Sequence, residues 1–393
     1  MAVSRKISEF MEQGSWIRKM FEEGIVLKQQ FGEANVFDLS LGNPIMEPPQ
    51  EFFDALSHIA KEPVSGMHRY MPNAGLQSTR AAVAQELCSE TGLEFDAQDI
   101  LMTVGAGGAL NVIMKTLLDP DDEVVIFAPY FVEYFFYADN HGAKCTVVPC
   151  NDRFVPDLKA LGLVITPKTR MVLTSSPNNP SGVVYDPELL SAIGEVIKLK
   201  ESEYGSEIFL VSDEPYRKIL FDGMEYPHIY RFHPRSIVAT SHSKDLALPG
   251  ERIGFIAVNP DCNDKDELID GLTFCNRTLG FVNAPALMQH LVARLQSVTI
   301  DVSKYQSQRD FLYDGLTAIG YNIVKPGGAF YMFPKAPIEN DVTFVDELRK
   351  HQVLVVPGSG FGMPGYFRVS YCVTDDTLAG ALNGFQAAFD TFA

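Results

Sequence analysis

Lys244 has the most distinctive chemical surroundings of any residue in this sequence. It follows Ser241-His242-Ser243 at the end of an apolar run, and Arg252 lies eight residues further on. Most lysines lie at protein surfaces, and Lys244 taken alone could be one of them. A primary amine beside hydroxyl groups and a guanidinium group can also bond an aldehyde whose phosphate those neighbours hold. The segment therefore indicates a site for a phosphorylated aldehyde.

Three further segments with candidate site residues also follow apolar runs. Gly105-Ala106-Gly107-Gly108 precedes an apolar helix and suits a phosphate, because free N–H groups and the positive end of a helix dipole lie there; it could also be a tight turn. The segment Asn178–Gly182 consists of residues that favour turns. Asp213 could cap a turn or point a carboxylate into a site. Each of these segments is ambiguous when it is taken alone.

The elements that must position these segments alternate between strands and helices. Six runs rich in β-branched residues are predicted to be buried strands: Ile100–Val104, Glu123–Phe127, Arg170–Thr174, Ile208–Val211, Ile237–Thr240 and Ile253–Val258. Helices are predicted over Leu76–Glu90, Gly108–Leu118 and Glu188–Glu201. Such alternation implies a mostly parallel sheet covered on both faces, with ligands at the carboxyl ends of its strands. The four segments would then meet at one edge of the sheet.

The pattern changes in the last quarter of the chain. Helices are predicted over Asn283–Ser297, Asp301–Ile319 and Asp376–Thr391, and short strands near Tyr321–Val324, Ala329–Phe333, Val353–Val356 and Phe367–Ser370. This mixture indicates a smaller α+β domain, which a helix around Ser8–Gln30 is expected to join. We therefore divide the chain into an N-terminal segment (1–47) that joins the small domain, a large domain (48–290) and a small C-terminal domain (291–393).

Composition excludes several classes of protein. With 46% hydrophobic and 21% charged residues, the 393-residue chain has the composition of a globular protein. Its net charge of −18 argues against nucleic acid as a partner. No apolar run approaches the roughly 20 residues of a membrane helix, and the N-terminus lacks the apolar core of a signal peptide, so we expect a cytoplasmic location and no membrane partner. The six cysteines show no metal-binding spacing, and no metal is expected.

The order and spacing of the motifs resemble those of the class I/II aminotransferases, which are pyridoxal-phosphate enzymes of fold type I. The Ser-x-Ser-Lys segment with its following Arg is the most specific motif, and it comes after Pro-Asn-Asn-Pro-Ser-Gly and Asp-Glu-Pro-Tyr at typical separations. The resemblance extends from Ser40-Leu41-Gly42-Asn43-Pro44 to Phe367-Arg368-Val369-Ser370. It implies an α/β fold whose large domain has a mostly parallel seven-stranded sheet flanked by helices, with a smaller α+β domain formed from both termini.

The resemblance also implies a role for each matching residue around pyridoxal 5′-phosphate. Lys244 would form the Schiff base and later move a proton between the substrate and the cofactor. Asp213 would pair with the pyridinium nitrogen, which keeps the ring an electron acceptor. Asn179 and Tyr216 would hydrogen-bond the phenolic oxygen of the cofactor. Phe131 would stack on the ring, although its aromatic neighbours also make core packing plausible.

The phosphate and the substrate carboxylate would bind at opposite ends of this site. Residues expected at the phosphate are Gly105, Ala106, Gly107, Ser241, Ser243 and Arg252. Many relatives carry a side-chain hydroxyl in the 106–108 stretch; this chain has Ala-Gly-Gly, so only backbone contacts are expected there. Tyr70 would reach the phosphate of a neighbouring subunit, which implies a homodimer with shared active sites. Arg368, with Asn179 and Gly42, would bind the substrate α-carboxylate, although an arginine can also form a surface ion pair.

The reaction favoured by this resemblance is ping-pong transamination between an amino acid and a 2-oxo acid such as 2-oxoglutarate or pyruvate. A C–S β-lyase with the same cofactor is one alternative, and a regulator without catalytic activity on the same fold is another. The segment Gly14-Ser15-Trp16-Ile17-Arg18 resembles the start of bacterial alanine aminotransferases, so Arg18 could face the distal group of a substrate or lie in solvent. His68 and Arg69 are further candidates. We expect aspartate, glutamate or alanine to be preferred over aromatic amino acids.

Overall fold

The computed structural model describes residues 2–12 and 16–392, without the side chains of residues 12, 17, 18 and 21. The helices are α1 Arg5–Glu12, α2 Trp16–Phe31, α3 Gln50–Lys61, α4 Gln77–Thr91, α5 Gly105–Leu117, α6 Glu133–Asp139, α7 Leu158–Val164, α8 Pro187–Tyr204, α9 Lys265–Thr278, α10 Ala286–Val292, α11 Val302–Ile319, α12 Asp341–Lys350 and α13 Asp375–Asp390. The strands are β1 Phe37–Asp38, β2 Ile100–Thr103, β3 Glu123–Phe127, β4 Lys144–Val148, β5 Thr169–Ser175, β6 Phe209–Asp213, β7 Ser236–Ser241, β8 Gly254–Val258, β9 Tyr331–Met332, β10 Val353–Leu354, β11 Val356–Pro357 and β12 Phe367–Ser370.

Seven strands form one large mixed sheet in the order β2-β8-β7-β6-β5-β3-β4. Only β8 runs against the others, since it is antiparallel to both β2 and β7. Side chains alternate between two apolar layers, so Val125, Val172 and Leu210 pack on one face while their neighbours Val124, Met171 and Val211 pack on the other. Because both faces are covered, inner strands such as β6 and β7 are buried along their whole length.

A second, smaller group of strands lies in the C-terminal part of the chain. Strands β11, β12 and β9 form an antiparallel sheet, and β1 from the N-terminal part pairs in parallel with β10. A third apolar cluster joins these strands to α11, α12 and α13. Just beyond the pairing of β1 with β10, the amide of Ser370 donates to the carbonyl of Leu39. These contacts bring the chain on either side of residue 40 next to Arg368.

Most predicted elements are confirmed, but four details differ. Strand β4 is absent from the six runs predicted from residue types, and the segment 321–324 forms no strand because the Tyr321 ring packs against aromatic residues of α12 and α13. Helix α10 is shorter than predicted, since extended backbone at Pro285 makes it begin at Ala286. The predicted run Val353–Val356 is divided between two strands, β10 and β11. In the N-terminal region the structure describes helices α1 and α2, and residues 13–15 lie outside the described residues. The division into segments at residues 47 and 290 stays a prediction.

Candidate active site

Five loops meet at one edge of the large sheet and enclose a cavity of about 320 Å³. They follow β2, β3, β5, β6 and β7, which all run in the same direction, and the chain near Gly42 and Arg368 closes the other side. Twelve of the predicted site residues line this cavity: Gly42, Ala106, Gly107, Phe131, Asn179, Asp213, Tyr216, Ser241, Ser243, Lys244, Arg252 and Arg368. The strand-end segments therefore meet at one edge of the sheet and line one cavity, and their roles in a shared site stay a prediction.

Lys244 lies just beyond β7 with its amine turned into the cavity. Its Nζ donates a hydrogen bond to the carbonyl oxygen of Gly42 at 2.7 Å and lies 5.3 Å from the centre of the Phe330 ring. Burial lowers the pKa of this amine to about 8, and the positive charges of Arg368 and Arg252 act in the same direction. A much larger fraction of the amine is therefore neutral near pH 7 than in an exposed lysine, and only the neutral form is a nucleophile.

Asp213 ends β6 as a buried acid with one oxygen available to a ligand. Its Oδ2 accepts a hydrogen bond from the Tyr134 hydroxyl at 2.7 Å, while Oδ1 has no partner among the described residues. Burial raises the pKa of Asp213 to about 6, and the Tyr134 hydrogen bond opposes that rise. Leaving a buried carboxylate oxygen unpaired is costly, so the arrangement fits a ligand that brings an N–H group to Oδ1.

Tyr331, which the sequence analysis did not single out, lies at the centre of the site. Its hydroxyl is 2.9 Å from the hydroxyl of Tyr216. A Cβ atom placed on Gly42 would lie 1.8 Å from the Tyr331 oxygen, so only glycine fits at that position. The three residues Gly42, Tyr216 and Tyr331 therefore form one packed wall of the cavity.

The first turn of α5 forms a cradle for an anion. Helix α5 begins at Gly105, three residues earlier than predicted, so the glycine-rich segment belongs to the helix itself. Gly105 has a φ of +75°, and a Cβ there would lie 2.8 Å from a guanidinium nitrogen of Arg252. Ser241 and Ser243, whose hydroxyl oxygens are 3.1 Å apart, line the cavity beside them. Free helix amides, two hydroxyl groups and an arginine fit a phosphate group.

Arg368 is 2% exposed and stands in the middle of β12. Its Nη1 donates to Asn179 Oδ1 at 3.0 Å and its Nη2 to the Ser40 carbonyl at 2.6 Å, while Nε has no partner. The guanidinium lies between the rings of Tyr331 and Phe361, with its central carbon 4.6 Å and 4.9 Å from their centres. No carboxylate in the described part of the chain pairs with Arg368, so the alternative of a surface ion pair is wrong. A buried guanidinium without a counter-ion fits an anionic ligand.

Two predicted site residues with described side chains or backbone, Gly105 and Tyr70, are absent from the cavity lining, and the side chain of a third is not described. Gly105 is next to the lining, as its approach to Arg252 shows. Tyr70 is 91% exposed and lies with His68 and Arg69 on a separate concave surface beside Phe281. Arg18 belongs to α2, but its side chain lies outside the described residues, as do Gly14 and Ser15 entirely.

Three tyrosines of the cavity were missed by sequence reasoning, namely Tyr134, Tyr137 and Tyr331. Tyr134 and Tyr137 lie on α6, directly after the Phe131 loop, and this proximity to a predicted ring-stacking residue was the signal available for them.

Within residues 2–12 and 16–392, no helix has the length and apolar character needed to cross a membrane. The same residues contain no group of three or more His, Cys, Asp or Glu placed to hold a metal ion.

Comparison with known proteins gives a consistent result over almost the whole chain. Residues 34–385 match the family model of aminotransferase class I and II. A probable aspartate aminotransferase of Methanocaldococcus jannaschii is 31% identical over 91% of this chain and 94% of its own length. An aminotransferase structure from Eubacterium rectale superposes with a TM-score of 0.96 at 37% identity, covering 100% of this chain and 99% of that one. The aspartate aminotransferase of Thermus thermophilus with maleate gives 0.85 at 27% identity, covering 98% and 99%.

The architecture agrees with these relatives, since the large sheet with helices on both faces and the smaller C-terminal sheet follow fold type I. The chain belongs to the class I and II aminotransferases, a family of pyridoxal-phosphate-dependent transaminases.

Proposed function

We propose that this enzyme moves an amino group from aspartate, glutamate or alanine to a 2-oxo acid, 2-oxoglutarate or pyruvate, by a ping-pong mechanism. The observation that carries the proposal is the shared cavity. It holds an amine whose pKa is lowered to about 8, a buried carboxylate with a free oxygen, and a buried arginine without a counter-ion. These groups match an aldehyde, a ring nitrogen and a carboxylate respectively.

The residues of the cavity fit pyridoxal 5′-phosphate as the cofactor. Lys244 would bond its aldehyde, Asp213 Oδ1 would meet its ring nitrogen, and Phe131 would cover one face of its ring. Asn179 and Tyr216 would bind its phenolic oxygen, while Ser241, Ser243, Arg252 and the first amides of α5 would hold its phosphate. When bound, the cofactor supplies an electron sink for negative charge at the substrate α-carbon.

The chain's own residues would then position the substrate and move the proton. Arg368 binds the α-carboxylate through charge-assisted hydrogen bonds, and Asn179 keeps the guanidinium in place through the 3.0 Å bond to Nη1. Lys244 accepts the proton from the α-carbon and returns it, which its lowered pKa makes easier at neutral pH. Arg368 is buried and Lys244 is partly buried, so water has little access to these contacts and they are strengthened.

The preference for acidic substrates rests on the relatives, and alanine is included because the segment 14–18 resembles the start of alanine aminotransferases. Several of the curated relatives are named aspartate aminotransferases, and the Thermus thermophilus structure contains maleate, a dicarboxylate. A panel of amino acids with 2-oxoglutarate as acceptor tests the proposal, and we expect the highest kcat/KM with aspartate, glutamate or alanine. Lys244→Ala serves as the control and should nearly abolish half-transamination. A clear preference for phenylalanine or tyrosine would refute the substrate proposal, and release of pyruvate and ammonia from cystathionine would support a β-lyase instead.

We also propose a homodimer whose subunits share their active sites. Support comes from Tyr70, which is 91% exposed and lines a concave surface other than the cavity of its own chain. Tyrosine is enriched at protein interfaces, so a partner subunit is a suitable cover for this side chain.

A further inference from the structure

The first turn of α5 offers backbone amides to a phosphate but no side-chain donor. Its residues are Gly105, Ala106, Gly107 and Gly108, none of which carries a polar side chain. A Cβ at Gly108 would lie 2.6 Å from Cγ2 of Val104, and one at Gly105 would lie 2.8 Å from Arg252. Packing therefore keeps side chains out of two of these positions, and a further hydroxyl donor must come from another element.

Tyr137 of α6 places its hydroxyl directly over this turn. A Cβ built on Gly107 would lie 3.1 Å from the Tyr137 oxygen, so the tyrosine occupies the space that a side chain at residue 107 would take. Tyr137 lines the cavity together with Gly107, Ser241 and Arg252. Its hydroxyl forms no hydrogen bond with any other residue that the structure describes, although it lies among the candidate phosphate ligands.

The electrostatic surroundings of Tyr137 keep its hydroxyl a donor. Burial and the nearby charges of Glu133 and Asp213 together raise the pKa of Tyr137 to about 12, against the opposing effect of Arg252. The hydroxyl therefore stays protonated at neutral pH. A phosphate dianion offers only acceptor oxygens, so a protonated hydroxyl beside it has one favourable role, which is to donate a hydrogen bond.

We propose that the Tyr137 hydroxyl donates a hydrogen bond to the phosphate of pyridoxal 5′-phosphate and replaces the side-chain hydroxyl that α5 lacks. The inference rests on the proposed function, since it requires that the cavity bind this cofactor. It adds a side-chain donor from α6 to the backbone contacts expected at the 106–108 stretch. Tyr137 is thus a cofactor-binding residue supplied by the neighbouring helix, and Gly107 is the small residue that makes room for it.

Titration of the apoprotein with two probes tests the proposal without measuring turnover. Tyr137→Phe should raise the dissociation constant for pyridoxal 5′-phosphate by about tenfold or more, as expected when a hydrogen bond to a charged group is lost. Binding of pyridoxal, which has the aldehyde but no phosphate, should be unchanged. Tyr130→Phe is the matched control, because Tyr130 precedes the same helix but does not line the cavity, and it should affect neither probe.

The double variant Gly107→Ser with Tyr137→Phe separates the hydroxyl from packing of the ring. A serine at residue 107 would place its hydroxyl in the space left by the tyrosine oxygen, so affinity for the phosphorylated probe should recover in part. Equal binding by wild type and Tyr137→Phe would overturn the proposal, as would equal weakening of both probes or a double variant without recovery. If the wild-type apoprotein fails to bind pyridoxal 5′-phosphate, the proposed function fails instead, so the two failures are distinguishable.

Discussion

The burial of Lys244 disfavours its charged form and should destabilise the folded apoprotein at neutral pH. Its pKa falls from 10.5 to about 8 on folding, so below pH 8 the folded state bears the full difference, about 3 kcal/mol. This penalty declines as pH rises from 8 and vanishes above 10.5. Lys244→Met removes it but also loses the hydrogen bond to Gly42, about 1 kcal/mol. We expect urea unfolding at pH 7 to show a net gain of about 2 kcal/mol.

The sign and pH dependence of this gain distinguish it from an ordinary effect of a new apolar side chain. Lys159, which is exposed, provides the matched control, and Lys159→Met should leave the free energy of unfolding almost unchanged at both pH 7 and pH 10. A Lys244→Met variant that is less stable than wild type at pH 7, or equally changed at both pH values, would contradict the desolvation argument. If the desolvation argument is confirmed, the reactivity of Lys244 is maintained at the expense of the stability of the folded protein.

Asp213 depends on a single neighbour to limit its pKa. Burial raises that pKa to about 6, and the hydrogen bond from Tyr134 lowers it. Tyr134→Phe should raise the pKa of Asp213, so that the acid is protonated up to a higher pH and pairs less well with a protonated ring nitrogen. The acid limb of kcat/KM against pH should therefore move upward by about one pH unit. Tyr130→Phe should leave it in place, and an unmoved limb in Tyr134→Phe would disprove this role.

The loop after β1 contacts both Lys244 and Arg368 through its backbone carbonyl groups. The Ser40 carbonyl accepts from Arg368 and the Gly42 carbonyl accepts from Lys244. A methyl group at Gly42 would lie 1.8 Å from the Tyr331 oxygen, so the loop would have to move and disturb both contacts. Gly42→Ala should lower the free energy of unfolding by about 1–3 kcal/mol and weaken substrate binding.

Two variants test whether this loop acts through its contact with Tyr331. Adding Tyr331→Phe to Gly42→Ala removes the nearest atom, but the adjacent ring carbon would still lie 2.7 Å away, so denaturant unfolding should show partial recovery only. Gly250→Ala is the control, because a Cβ there meets nothing within 4 Å and stability should not change. A Gly42→Ala protein as stable as Gly250→Ala would show that the loop adapts freely.

How far the sequence predicts the site depends on where each residue stands relative to a strand. Asp213 ends β6, and Lys244 and Asn179 follow β7 and β5, so the alternation of strands and helices alone places them at one sheet edge. Strand β4 escaped prediction because its exposed and half-buried residues give no continuous apolar run. Tyr331 could not be predicted, since its role depends on packing against Gly42, far away in the sequence. For Tyr137 the nearness to Phe131 was a signal, but its contact with Gly107 depends on how the chain packs.

As a whole molecule, the chain combines an overall charge of −18 with a cavity that contains Lys244, Arg252 and Arg368. The distant acidic groups lie in high dielectric and are screened by salt, whereas the three cations act on a bound ligand at short range, Arg368 from a buried position. Binding of a phosphate and a carboxylate is therefore decided by the local groups. The acidic surface favours solubility and argues against nucleic acid as a partner.

Tyr70 offers a test of the proposed dimer that requires two subunits to cooperate. If Tyr70 serves the partner's phosphate site, Tyr70→Ala should weaken cofactor binding, and Lys244→Ala should abolish turnover, each in a homogeneous sample. In a hybrid of the two variants, the site that retains Lys244 would receive Tyr70 from the other subunit and would be intact. We therefore expect activity at limiting cofactor to recover when the variants are unfolded and refolded together. Without recovery in verified hybrids, Tyr70 acts within its own chain or not at all, and its 91% exposure would need another explanation.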